Sequence, residues 1–265
     1  MSGEPRPPTT TAAPAWPARA LAAALGLALL AAWEALARQS GLSALVLPAP
    51  SAVAASLWAG LRSGYFTPHV AATLSALGLG LAGGGAAGLL MGAALAESPW
   101  AERVLRPYVV LSQVTPKLAL APLFVLWLGF GIAPTALITG LICFFPLMEN
   151  TLTGLQQTDP QRLRLFRMLG ATRWQTLLRL KLPMALPTVL AGLRMAVVLA
   201  LVGAVVGEFI GASRGLGAVI IAAQGSMDTA LMFAALVLIA VIGLLLYQAT
   251  LLAERLLLRP YTAVS

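Results

Sequence analysis

Residues 158–187 read TDPQRLRLFRMLGATRWQTLLRLKLPMALP. Six basic side chains crowd this segment: Arg162, Arg164, Arg167, Arg173, Arg179 and Lys181. The only acid among them is Asp159, and long apolar stretches flank the segment on both sides. Such an island between apolar runs presents a surface outside a bilayer. Its local grammar is that of two short amphipathic helices. Thr158 or Asp159 can cap a first helix, with Pro160 at its first position. Leu163, Phe166 and Leu169 fall on one side of that helix, and Gly170 is placed to end it in a left-handed cap. Thr172 can cap a second helix with Trp174, Leu177 and Leu178 on one face. Pro183 and Pro187 then precede or enter the next apolar stretch. On the residues alone two readings stay open. The island inserts into a groove of a soluble partner, or its basic face rests on anionic lipid.

The chain around the island is a membrane protein by composition. Its 265 residues are 59% hydrophobic and only 10% charged, with mean hydropathy +0.88. A soluble domain carries roughly a quarter charged residues. Residues 118–148 and 229–253 hold no charge, and 63–96 hold only His69 as a candidate. A helical span needs about 20 apolar residues. Long runs without alternation predict helices rather than a barrel. The expected fold is all-α, a polytopic membrane protein of about six transmembrane helices with a cytoplasmic helix–turn–helix.

The expected organisation is a disordered cytoplasmic tail at 1–18, a transmembrane domain at 19–258 containing the island loop 158–183, and a C-terminal tail at 259–265. The stretch 20–37 reads as an uncleaved first span with Glu34 inside it, in preference to a signal peptide. Pro48, Pro50 and Pro68 bracket an interfacial helix. Further spans are expected at about 70–95, 104–118, 133–153, 184–206 and 229–253. Pro116 and Pro122 break the third of these and leave a shorter helix at 120–129. Gly80, Gly84, Gly88 and Gly92 recur every fourth residue, a bare stripe on which a second backbone can pack. Gly78-x-Gly80-x-x-Gly83 matches a dinucleotide fingerprint only formally, since no βαβ context surrounds it.

Charge placement gives an orientation. With both termini cytoplasmic, that side holds Arg6, Arg19, Arg103, Arg106, the six of the island, Arg255 and Arg259, against Arg38, Arg62 and Arg214 outside. Twelve against three predicts that topology. The net charge of +8 therefore belongs to membrane flanks and implies no nucleic acid as partner. The lone His69 and lone Cys143 predict no metal site, and no catalytic constellation or cofactor site is expected. No phosphate-loop motif appears, so the chain is not expected to be an ATPase, and active transport would require another subunit to bind ATP.

The island resembles the coupling loop of permease subunits of bacterial ABC importers. That loop carries Glu-Ala-Ala, a Gly four residues on, then nine residues before Ile-x-Leu-Pro. Here Gly170 precedes Leu180-Lys181-Leu182-Pro183 at that spacing, while Arg164, Leu165 and Phe166 stand at the Glu-Ala-Ala positions. PKLALAPLFVLWLGFGIAP (116–134), FFPLMENTLTGL (144–155) and VVGEFIGASRGLG (205–217) look like the nitrate/sulfonate/taurine-type subfamily. That subfamily also includes importers of pyrimidine precursors and riboflavin. The resemblance spans about residues 45–258. It implies an inner-membrane complex of two permease copies, a homodimer, with two ATPase subunits and an extracytoplasmic solute-binding protein. It implies that Arg164, Leu165, Phe166, Leu169, Gly170, Ala171, Trp174, Leu180, Leu182 and Pro183 form the ATPase-coupling loop.

Lys117, Glu149, Asn150 and Glu208 lie in or near spans. Intramembrane polar groups are costly, which makes these four candidates for the pathway or its gate. Glu208 is also placed to cap or orient the turn that follows it. A membrane-embedded enzyme would need an ionisable cluster at one depth, which the sequence lacks. A secondary transporter acting without an ATPase partner would favour an inverted repeat; only the Pro116–Pro122 break points that way.

Overall fold

The computed structural model describes residues 16–41 and 43–262. All regular elements among them are helical. They are α1 (Trp16–Gln39), α2 (Pro50–Arg62), α3 (Phe66–Glu97), α4 (Pro99–Val114), α5 (Ala121–Leu128), α6 (Ile132–Gln156), α7 (Pro160–Met168), α8 (Arg173–Thr176), α9 (Leu182–Gly211), α10 (Leu216–Gly225) and α11 (Thr229–Thr262). Helices α1, α3, α6, α9 and α11 are long and apolar enough to cross a bilayer, and the bent pair α4–α5 makes a sixth crossing if counted as one span. Of the expected tail at 1–18, residues 1–15 lie outside the described residues. α1 starts at Trp16, with Pro17 in the first turn, where its missing N–H costs nothing. α11 runs on through Thr262, four residues past the expected boundary at 258. Arg259 in its last turn suits the negative end of the helix dipole.

The core is a triad of α3, α6 and α9. The glycine stripe of α3 faces α6. A Cβ built on Gly84 would overlap the backbone of Gly140. One on Gly88 would come 2.5 Å from the Phe144 carbonyl, and one on Gly92 equally close to that of Met148. From Gly80 to Gly92 the two helix backbones therefore touch along about three turns, which maximises dispersion contact where no hydrophobic drive operates. Many large apolar side chains face outward, Leu126 at 78% and Phe130 at 81% exposure among them. In water such a surface would be an aggregation liability; in hydrocarbon it is solvated.

The charge within α1 has a structural partner. Glu34 accepts from the Ser51 backbone N–H at 3.0 Å and its hydroxyl at 2.7 Å, and pairs with Arg38 at 2.5 Å. α2 has no side-chain cap of its own, so Glu34 satisfies one of its free first-turn donors.

The break in the third span falls earlier than expected. α4 begins at Pro99 and ends at Val114, a 3₁₀ turn covers Lys117–Leu120, and α5 follows at a 77° bend. Pro116 removes a donor and pushes Thr115 to extended backbone (ψ 127°), so the helix stops before it. α10, between the expected spans at 184–206 and 229–253, is a further helix. Leu216, Gly217, Val219, Ile220 and Ala223 are all buried, leaving no polar face to betray it in the sequence.

Candidate functional site

The island folds from its own caps. Asp159 accepts from Gln161 N–H at 2.8 Å and starts α7. Gly170 ends it with φ +71°. The Ala171 N–H donates to the Phe166 carbonyl at 3.0 Å and that of Gly170 to Arg167 at 3.1 Å. This is a Schellman closure, which glycine enters without the strain that a Cβ would cause. Thr172 then opens α8 with a capping box. Its hydroxyl accepts from Gln175 N–H at 3.2 Å, and Gln175 Oε1 accepts from Thr172 N–H at 2.9 Å.

The second helix does not end at the prolines. A π turn, Leu177–Lys181, carries α8 into α9 without interruption, and Leu182 N–H reaches back five residues to the Leu177 carbonyl. Pro183 and Pro187 supply no donors in the first turns of α9. The wider π turn relieves the clash between the Pro183 ring and the Arg179 carbonyl four residues before it. The island is thus one rigid piece with the span that follows.

The proposed coupling residues divide by exposure. Leu169 is 73% and Trp174 68% exposed, and Arg164 and Leu165 are also free. Phe166, Ala171 and Pro183 are half-buried, and Leu180 is buried against the bundle. Leu182 is exposed. Leu169 leaves the apolar side it was expected to share with Leu163 and Phe166, because it is the C-cap residue, where the helix path already turns. At the base of the island Lys181 pairs with Glu97 at 2.6 Å, locking the start of α9 to the end of α3. Further along, Arg194 pairs with Glu254 of α11 at 3.2 Å.

The four pathway candidates fall in two places. Lys117 donates to the Gln113 carbonyl at 3.1 Å and stands over the Phe145 ring, 4.4 Å from its centroid. The Gln113 amide donates to Glu149 at 3.3 Å, so Lys117 and Glu149 are linked through one residue at the α4–α5 break. Asn150 donates to the Pro146 carbonyl at 2.7 Å and packs against Gly192 of α9. Glu208 is elsewhere, near the other end of α9, and only 2% exposed.

There it takes part in a clamp. The first three N–H groups of the turn into α10 are all held by side chains. Gly215 N–H donates to His69 Nδ1 at 3.2 Å, in the tautomer that leaves that nitrogen free. Leu216 N–H donates to Thr73 Oγ1 at 2.9 Å, and Gly217 N–H to Glu208 Oε2 at 2.8 Å. The free donors of a helix start are thereby satisfied from two other helices. Gly215 sits at φ +136°, and a Cβ there would overlap the Glu208 carboxyl. A cavity of about 210 Å³ lies beside the clamp, bounded by Thr135, Glu208 and Arg214. Sequence reasoning found Glu208 but not His69 or Thr73. Their four-residue spacing, which puts both on one face of α3, was the available signal.

Residues 84–259 match the family described as binding-protein-dependent transport system inner membrane component. The chain is 41% identical over 244 residues to the riboflavin transport system permease protein of Chloroflexus aurantiacus, covering 92% of this chain and 91% of that one. It is 38% identical over 232 residues to the formylaminopyrimidine transport permease protein of Halalkalibacterium halodurans, covering 88% and 92%. A chain of the MetNI methionine ABC transporter, solved in inward-facing conformations, shares the fold with TM-score 0.58 at 19% identity, over 80% of this chain and 99% of that one. With the family matched from within α3 to the last turns of α11, this multi-pass chain belongs to the binding-protein-dependent inner membrane components, the permease subunits of ABC importers that work with an ATPase and a solute-binding protein.

Proposed function

We propose that this permease imports a small nitrogen heteroaromatic solute of the pyrimidine-precursor or flavin type. The substrates for which the riboflavin and formylaminopyrimidine permeases are named, at 41% and 38% identity, support that class over nitrate or a sulfonate. Two copies of the chain enclose the path, two ATPase subunits dock on the islands, and both termini face the cytoplasm, as the twelve-to-three distribution of basic residues favours.

The observation that carries the mechanism is the unbroken run from α8 through the π turn into α9. Closure of the ATPase pair on ATP moves the exposed island, with Leu169, Gly170 and Trp174 at its tip. α9, 30 residues and so about 45 Å long, carries that displacement to Glu208 and the turn it holds. Alternating access then requires only that the two positions of α9 differ in energy between nucleotide states. Lys117, Glu149 and Asn150 sit where the bent third span meets α6 and α9, and act as the gate on the island side.

Uptake into proteoliposomes containing the permease, its ATPase and the cognate binding protein tests the substrate class. Riboflavin or formylaminopyrimidine should be accumulated in an ATP-dependent way. Accumulation of taurine or nitrate alone would overturn the class. Orientation is tested separately in a Cys143→Ser background. An impermeant thiol reagent should label Ser213→Cys in intact cells and Thr172→Cys only after the cells are opened; the reverse pattern inverts the topology.

A further inference from the structure

The island has two faces, and the docking reading uses only one. Met168, Leu169 and Trp174 stand free. On the other side, Arg167, Arg173 and Thr176 face the α3–α4 turn across a cavity of about 430 Å³, which Glu97, Pro99 and Lys181 help to line. Three cations and one carboxylate border this space. The carboxylate is already taken, since Glu97 is paired with Lys181 at 2.6 Å. Arg167 and Arg173 form no ion pair among the described residues. Two guanidinium groups on one cavity wall repel each other unless an anion lies between them.

The level of the cavity says which anion. Glu97 is the last residue of α3 and Lys181 directly precedes α9, and both helices are spans. At 32 and 30 residues these helices are about 45–48 Å long, close to the roughly 40–45 Å of a bilayer with its headgroups, so the cavity at their ends lies at the layer of lipid phosphates. Basic pockets between helices at this boundary suit phosphate headgroups, and the planar fork of arginine matches phosphate oxygens. Thr176 also lines the cavity, its hydroxyl donating to the Thr172 carbonyl at 3.0 Å.

We propose that this cavity binds the phosphate of an anionic phospholipid, held between Arg167 and Arg173. The bound headgroup ties the back of the island to the α3–α4 turn and leaves its front free for the ATPase. The proposal rests on the reading of the island as lying just outside the bilayer, but not on which side of the membrane that is.

Native mass spectrometry of the complete transporter, purified in phosphatidylcholine and titrated with phosphatidylglycerol, tests it. The wild type should retain phosphatidylglycerol in preference to phosphatidylcholine. Arg167→Ala with Arg173→Ala should weaken that binding roughly thirtyfold, the effect of two basic contacts at a membrane surface. Arg179→Ala with Arg255→Ala removes equal charge from other positions and should bind as wild type. If the first pair does not assemble, Arg173→Gln alone should weaken binding about fivefold. Equal affinity in the two double variants would overturn the proposal. So would displacement of phosphatidylglycerol by inorganic phosphate without any preference over phosphatidylcholine, which assigns the cavity to a soluble anion. The same spectra report the ATPase. Its loss from the first pair with lipid affinity unchanged would place both arginines on the docking face and also overturn the proposal, whereas failure of the wild type to hold an ATPase at all counts against the docking reading alone.

Discussion

At one end α9 continues into an island whose Leu169 and Trp174 stand free; at the other it carries Glu208, buried and bonded to the turn that follows. The caps of α7 and α8 are local, made by residues within six positions of one another. The clamp on the turn into α10 joins residues up to 146 positions apart. The first end leaves apolar side chains uncovered, which the proposed docking of the ATPase would bury. The second end is held within the chain, since the first three donors of the turn into α10 have side-chain acceptors. A helix so anchored at one end and so open at the other is suited to transmit a movement rather than to absorb it.

The comparison assumes a rigid body between the two ends, and the largest expected effect comes from breaking it. Gly84→Leu would drive a branched side chain into the backbone of Gly140. We expect a cost above about 3 kcal/mol and loss of folded protein in detergent, measured by size-exclusion profile and thermal melting. A variant that melts like wild type would show that α3 and α6 can separate, and that the ends of α9 are not held to a common frame.

Next is the clamp. Glu208→Ala leaves the Gly217 N–H without its buried acceptor, at a cost of roughly 1–3 kcal/mol. Glu208→Gln keeps an acceptor and should recover most of the lost melting temperature. If both variants melt with wild type, the turn is held by His69 and Thr73 alone. The smallest effect on stability belongs to the island. Gly170→Val places a β-branched residue at φ +71°, costing about 1–2 kcal/mol in the α7–α8 turn. Melting of the bundle should hardly change, yet ATP hydrolysis should continue with little transport. Full transport by this variant would remove the island from the coupling path.

The spans were legible because a bilayer demands long uncharged runs, and 118–148 or 229–253 can mean little else. The island caps were legible too, because Thr172 and Gly170 act on neighbours within a few residues. What escaped is non-local. Nothing in the sequence pairs Lys181 with Glu97, 84 positions away, or sets His69 against Gly215. The π turn escaped because two prolines normally announce a stop, and only the backbone hydrogen bonding of Leu177–Leu182 shows that the helix passes through them.

The central claim is that nucleotide at the island end alters the turn at the other end through α9. It is tested most directly by the labelling rate of Ser213→Cys, in a Cys143→Ser background, in the reconstituted complex with its ATPase either nucleotide-free or trapped with ATP. The account predicts a rate that changes with nucleotide, and no change once Gly170→Val is added. An unchanged rate in a complex that transports normally would contradict it.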